Sequence, residues 1–138
     1  MRRQALSILL GVGLLGLASA AGAQETKTIQ GEVADPGLYL REGRHGTEVE
    51  DVMYDAVDGG QTLALLEEGT QTVYLLLANE AGEDPNELVY EYVGRRVKAT
   101  GTVYERGGLK GLVLTSVEPL DQPPASETPP EANAAVEE

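Results

Sequence analysis

His45, Glu48 and Asp51 are spaced by three along the chain, so at the start of a helix all three could face one side and meet a divalent cation. One imidazole and two carboxylates make a lean donor set. Zinc sites draw on more nitrogen or sulfur than this, and calcium sites on a denser cage of oxygens. The chain has no Cys to complete such a set, and a single His leaves little material for acid–base chemistry near neutral pH. Two other stretches combine tyrosine with cations: Tyr39, Arg41 and Arg44 in one, Tyr104, Arg106 and Lys110 in the other. Catalytic constellations are not found: Ser116 and Ser126 lack a nucleophile-elbow or partner pattern, and no glycine-rich loop leads into a helix to cradle phosphate. Acidic pairs such as Glu50-Asp51 and Glu67-Glu68 follow from an acidic composition and mark no acid–base couple. The expectation is a protein without catalytic function or cofactor.

The elements that would position these residues can be read from periodicity. Thr28 to Val33 alternates, with Ile29, Gly31 and Val33 on one face, as in a half-buried strand. Asp35-Pro36-Gly37 bends it, and Leu38-Tyr39-Leu40 reads as its continuation. Arg41 to Gly46 reads as a polar loop. From Thr47 to Asp58 the period changes: Val49, Val52, Met53, Ala56 and Val57 form one helical stripe, with Thr47 as cap and Gly59-Gly60 as exit. Thr62–Leu66 and Thr72–Leu77 read as a hairpin. Asp84-Pro85-Asn86-Glu87 carries the signals of a helix start, with Gly94 as its stop. Arg96 to Tyr104 alternates strictly, with Val97, Ala99, Gly101 and Val103 on one side. Arg106-Gly107-Gly108 turns the chain into a last strand, Leu109 to Val117. Gly101 inside a strand predicts a sharp bend or a close approach where a barrel closes.

Five strands with a helix between the third and fourth is the order of an OB-fold. The predicted fold is therefore all-β with short helices: a five-stranded OB-fold-like Greek-key barrel with a further helix in its first long connection. The stretch from Tyr92 to Leu112, with Gly94, Val97, Gly101 and the Gly107-Gly108-Leu109-Lys110 hairpin, resembles bacterial exported OB-fold proteins, as do Thr28–Asp35 and the region from Gly60 to Leu77. Some of those relatives carry Cys and His in the insert after the first strand. Here that insert, Gly43 to Gly60, keeps only His45, so the resemblance implies the fold and export without a thiol or metal function. OB barrels commonly bind ligands on strands two and three, between the first–second and fourth–fifth loops. Tyr39, Arg41, Arg44, Tyr104, Arg106 and Lys110 fall in those loops and are the candidate ligand-binding residues; a small anion, an acidic oligosaccharide or an acidic peptide would suit them.

The two ends of the chain read differently. Met1-Arg2-Arg3-Gln4 is a basic start. An apolar run follows from Ala5 to Ala18, then the small-residue sites Ala18-Ser19-Ala20 and Ala21-Gly22-Ala23. That is the layout of a signal peptide, residues 1–23, cleaved after Ala23 or, alternatively, after Ala20. The apolar run is shorter than the roughly 20 residues of a spanning helix, and no later stretch approaches that length, so the mature chain is expected to be soluble, periplasmic or secreted. Residues 27–118 form the expected domain. From Pro119 to Glu138 the chain is rich in Pro, Ala and Glu, an acidic tail expected to be disordered. The net charge is −13, and loss of Arg2 and Arg3 would leave 8 basic and 23 acidic residues, −15. Such a charge disfavours nucleic acid and anionic membrane surfaces as partners, and all six aromatics are Tyr, which leaves few stacking platforms. The function expected is an exported module that binds a small ligand or an envelope protein. The alternative is a divalent-metal-binding or stress-related envelope protein acting through the acidic insert.

Overall fold

The computed structural model describes residues 23–121. The expected leader, apart from Ala23, and the tail from Gln122 onward lie outside the described residues. Five strands, β1 (Ala23–Ala34), β2 (Ala64–Glu67), β3 (Val73–Leu76), β4 (Arg96–Arg106) and β5 (Leu109–Pro119), close into a barrel in the order β1-β2-β3-β5-β4. Every pairing is antiparallel except β3 with β5. Two short helices, α1 (Pro36–Glu42) and α2 (Glu50–Asp58), lie in the connection after β1. The architecture is the OB-fold-like barrel that the strand order predicts.

Alternation places the core. Ile29 and Val33 of β1, Leu65 of β2, Tyr74 and Leu76 of β3, Val97, Ala99 and Val103 of β4 and Leu112 of β5 all turn inward. Leu38 of α1, Val49 and Met53 beside and within α2, and Val89 and Val93 ahead of β4 join the same cluster. Met53 is fully buried; sealing such a side chain from water contributes about 1.5–3 kcal/mol. With no disulfide available, this aliphatic cluster carries the stability of the domain.

Glycines sit where the barrel wall is too tight for a side chain. A Cβ on Gly101 would meet the Val113 carbonyl oxygen, and the β4–β5 register shifts between Thr100 and Gly101. A Cβ on Gly31 would lie 2.5 Å from the Leu66 carbonyl oxygen. At the β4–β5 turn, Gly107 (φ 58°) and Gly108 (φ 81°) supply the paired left-handed conformations of a two-residue hairpin.

Four local expectations need correction. Leu38-Tyr39-Leu40 is helical, not a continued strand. The Asp35 carboxylate accepts from the Gly37 amide at 2.8 Å, Pro36 occupies the first turn, and Gly43 (φ 68°) ends the helix with its amide on the Tyr39 carbonyl. Thr47 caps nothing; a 3-10 turn over Thr47–Val49 intervenes and α2 opens at Glu50. The helix expected after Asp84 is reduced to turns and one 3-10 turn, Tyr90–Tyr92. Asn86 is pulled into the core there: its amide nitrogen donates to the Gln61 carbonyl (3.0 Å) and its side-chain oxygen accepts from the Leu63 amide (2.8 Å). Finally, pairing runs past residues 27–118 at both ends. Ala23 pairs with Glu105, Leu120 donates to the Arg96 carbonyl (2.9 Å), and the Asp121 carboxylate accepts from the Arg96 amide (3.1 Å).

Gly101→Ala is expected to destabilise the domain by about 1–3 kcal/mol, because the new methyl meets a backbone carbonyl that cannot rotate away. Gly59→Ala, at an ordinary negative φ with 3.4 Å to its nearest neighbours, should change stability by about 0.5 kcal/mol or less. Urea unfolding of both variants measures the difference, and equal midpoints would refute this account of the barrel wall.

Candidate functional site

The first candidate set is not assembled. His45 Nδ1 lies 3.0 and 3.1 Å from the two carboxylate oxygens of Glu32 on β1, with the Tyr39 ring edge-on at 5.7 Å between centroids. Because the 3-10 turn separates His45 from α2, residues spaced by three here do not share a helix face. Glu48 borders the same open hollow as His45, but Asp51 does not. Among the described residues no three His, Asp or Glu side chains are placed to hold a metal ion.

The second set is half assembled, on β3 and the β4–β5 hairpin. Along β3, Tyr74 and Leu76 point into the core, so Val73 and Leu75 face out, followed by Leu77 just past the strand end. The outward row of this strand is therefore aliphatic throughout, where a solvent-facing row is ordinarily polar. β3 pairs with β5 only at Leu75↔Gly111 and Leu76↔Leu112. Toward the hairpin the two strands are no longer paired, and a cleft of about 530 Å³ opens. Its walls are Leu75, Leu77 and Leu109, with Tyr104, Glu105, Arg106 and Lys110 around them and Gly107 and Gly111 in the backbone. Gly111 shapes the wall, since any Cβ there would strike the Leu77 side chain. A second hollow of about 440 Å³ adjoins it, sharing Leu75, Leu109 and Lys110 and adding Val73, Thr72, Gly108 and Leu40 of α1. Leu40 and Leu109 are 74% and 66% exposed, unusually open for leucine.

Tyr104, Arg106 and Lys110 thus come together as expected for the fourth–fifth loop. Tyr39, Arg41 and Arg44 do not line the cleft; α1 contributes Leu40 instead. The leucines were not among the candidates, although a signal existed. Val73-Tyr74-Leu75-Leu76-Leu77 has no polar face, and a strand in a small barrel must show one face to water or to a partner.

Charge distinguishes the cleft further. Of the eight basic residues described, five pair with carboxylates. Lys27 meets Glu25 (3.6 Å), Arg44 meets Glu42 (3.3 Å), Arg95 meets Glu50 (3.7 Å), Lys98 meets Glu118 (3.9 Å), and Arg96 bridges Glu68 and Asp121. Arg41, Arg106 and Lys110 enter no ion pair among the described residues. The Lys110 ammonium instead stands 6.0 Å from the centre of the Tyr74 ring. The Arg96 hydrogen bond holds the Glu68 carboxyl below the usual carboxylate range. Burial, with the nearby Glu50 charge, pushes the Tyr54 hydroxyl up, and its hydrogen bond to Asp58 (3.2 Å) does the same for Tyr90. None of these shifted groups lines the cleft.

No protein-family model, curated protein or solved structure matches the chain.

Glu68 has a folded-state pKa below its unfolded value, so its contribution to stability is present above the unfolded value and lost as pH falls through the folded one. The melting temperature of Glu68→Gln is expected to lie below that of the wild type at pH 7. The gap should close between about pH 5 and pH 3. Both groups are exposed and the effect is small; thermal melts across that range test it, and a gap that widens on acidification would refute the assignment.

Proposed function

We propose that the protein is an exported, non-catalytic binding module of the cell envelope, and that it holds a small ligand in the cleft between β3 and the β4–β5 hairpin. The observation that carries this reading is an apolar wall open to solvent, Leu75, Leu77 and Leu109, in a cleft of about 530 Å³. That volume lies within the range of about 300–1,000 Å³ usual for small-molecule sites, as does a mostly aliphatic lining with a few polar groups at its margin. The cleft takes in β3 and the β4–β5 hairpin from the ligand face of OB barrels, and the adjoining hollow reaches Leu40 in the connection after β1. Export is supported by the basic, apolar and small-residue layout of Met1 to Ala23. The resemblance of Thr28–Asp35 and Tyr92–Leu112 to exported bacterial OB-fold proteins points the same way. Covering the open parts of the three leucines contributes on the order of 1 kcal/mol each, so an affinity better than millimolar, about 4 kcal/mol, also draws on burial of the ligand's own apolar surface.

An uncharged naphthylamine dye that fluoresces in apolar surroundings tests the cleft. The purified protein should enhance its emission, and Leu109→Glu, a change at an exposed hairpin position, should reduce the enhancement at least fivefold without lowering the melting temperature. Leu88→Glu, on an exposed leucine outside the cleft, should leave it unchanged. Absence of enhancement, or equal loss in both variants, would refute the cleft as a ligand site.

A further inference from the structure

We infer that the ligand of this cleft is a single-chain amphiphile with an anionic headgroup, an acyl or alkyl chain ending in a carboxylate or phosphate. The inference rests on the reading of the cleft as a small-ligand site and adds the chemistry of what fills it. Two observations coincide there. The first is the apolar trough: the leucine wall continues past Leu75 and Leu109 into the adjoining hollow, where Val73 and Leu40 extend it. A trough of that kind suits a flexible hydrocarbon chain rather than a compact polar ligand. Among the described residues, no Asn, Gln, Ser or Thr side chain lines the larger cleft to read a sugar or a peptide backbone.

The second is the charge at its margin. In a chain of 23 acidic and 10 basic residues, a surface cation ordinarily finds a carboxylate, and five of the eight described do so. Among the described residues Arg106 and Lys110 do not, although Glu105 stands opposite Lys110 in the β4–β5 register and lines the same cleft. The ammonium of Lys110 stands near the Tyr74 ring instead. Two cations against one carboxylate leave the margin of the cleft net positive on a strongly acidic molecule. An anionic headgroup at that margin gains charge-assisted hydrogen bonds from the guanidinium or the ammonium while its chain covers the leucines. A monomeric amphiphile fits better than a bilayer surface. The net charge of −13 repels an extended anionic membrane, whereas one headgroup meets only the local field.

Displacement of the uncharged dye from the purified protein tests the inference, with dodecanoate, dodecyl phosphate, dodecyl maltoside and dodecyltrimethylammonium as competitors, each below its micelle-forming concentration. The two anionic compounds are expected to compete at least tenfold more tightly than the neutral and cationic ones. The double variant Arg106→Gln/Lys110→Gln should lose that preference while still taking up the dye. Equal competition by all four, or a preference that survives in the double variant, overturns the anionic headgroup and leaves the cleft reading standing. Failure to take up dye overturns the cleft reading itself. Sedimentation with phosphatidylglycerol vesicles in the absence of competition by monomers would transfer the site to a membrane surface and overturn the single-molecule occupant. A dimer that Leu109→Glu dissociates would assign the trough to a second copy and overturn it as well.

Discussion

Closing five strands into a barrel requires β3 to reach β5, and the contact between them is short. Leu75 pairs with Gly111, Leu76 with Leu112, and the Leu77 amide donates to the Leu112 carbonyl at 2.9 Å. The remaining seams are longer: β1 follows β4 from Ala23 to Glu32, and β4 follows β5 over its whole length. Parallel pairing is slightly weaker per residue than antiparallel, so the closing seam is also the weakest. Where it stops, the wall parts and the outward side chains of β3 meet water. Gly111 permits the approach by leaving room for Leu77, and Gly101 permits β4 and β5 to cross closely on the opposite side. The barrel and its cleft are consequences of one constraint.

A barrel this small cannot fill itself from strands alone. The connection after β1 supplies Leu38, Val49 and Met53, and the segment before β4 supplies Val89 and Val93. Bringing loops inward carries polar backbone with them, and each buried group then needs a partner. Asn86 meets that need for Gln61 and Leu63, Asp35 for Gly37, and the Met53 sulfur accepts weakly from the Asp35 amide at 3.3 Å. Among the described residues no buried side-chain nitrogen or oxygen is left without a partner. The polar groups carried inward with these loops are thereby partnered, and α1 places Leu40 at the trough.

The charges divide along the same line. Arg96, at one end of β4, ties the β2–β3 turn through Glu68 and the last described residue through Asp121. Arg106, at the other end of β4, has no such partner among the described residues. One strand thus carries a cation that ties two segments of the fold and, roughly ten residues away at about 3.3 Å per residue, a cation without a carboxylate partner among the described residues.

How much of this was legible depends on whether local rules and tertiary demands agreed. Strict alternation in Arg96–Tyr104, the Gly107-Gly108 turn and the apolar stripe of Val49–Val57 name their elements from sequence, because period and turn chemistry are local properties. The strand order that implies a closed barrel follows from them, and so do Tyr104, Arg106 and Lys110 as one cluster, since a two-residue turn brings them together. Other features were decided only in three dimensions. Asp35-Pro36 and Asp84-Pro85 carry similar helix-start signals, yet the first opens α1 and the second yields turns, because Asn86 is claimed by backbone groups more than twenty residues away. His45 meets Glu32 rather than Glu48 and Asp51, because a 3-10 turn breaks the register that spacing assumes. The outward leucines of β3 border a cleft only because β3 and β5 pair at just two residues and are apart on the hairpin side, and a strand apolar on both faces does not reveal from its own sequence which face a neighbour will leave uncovered.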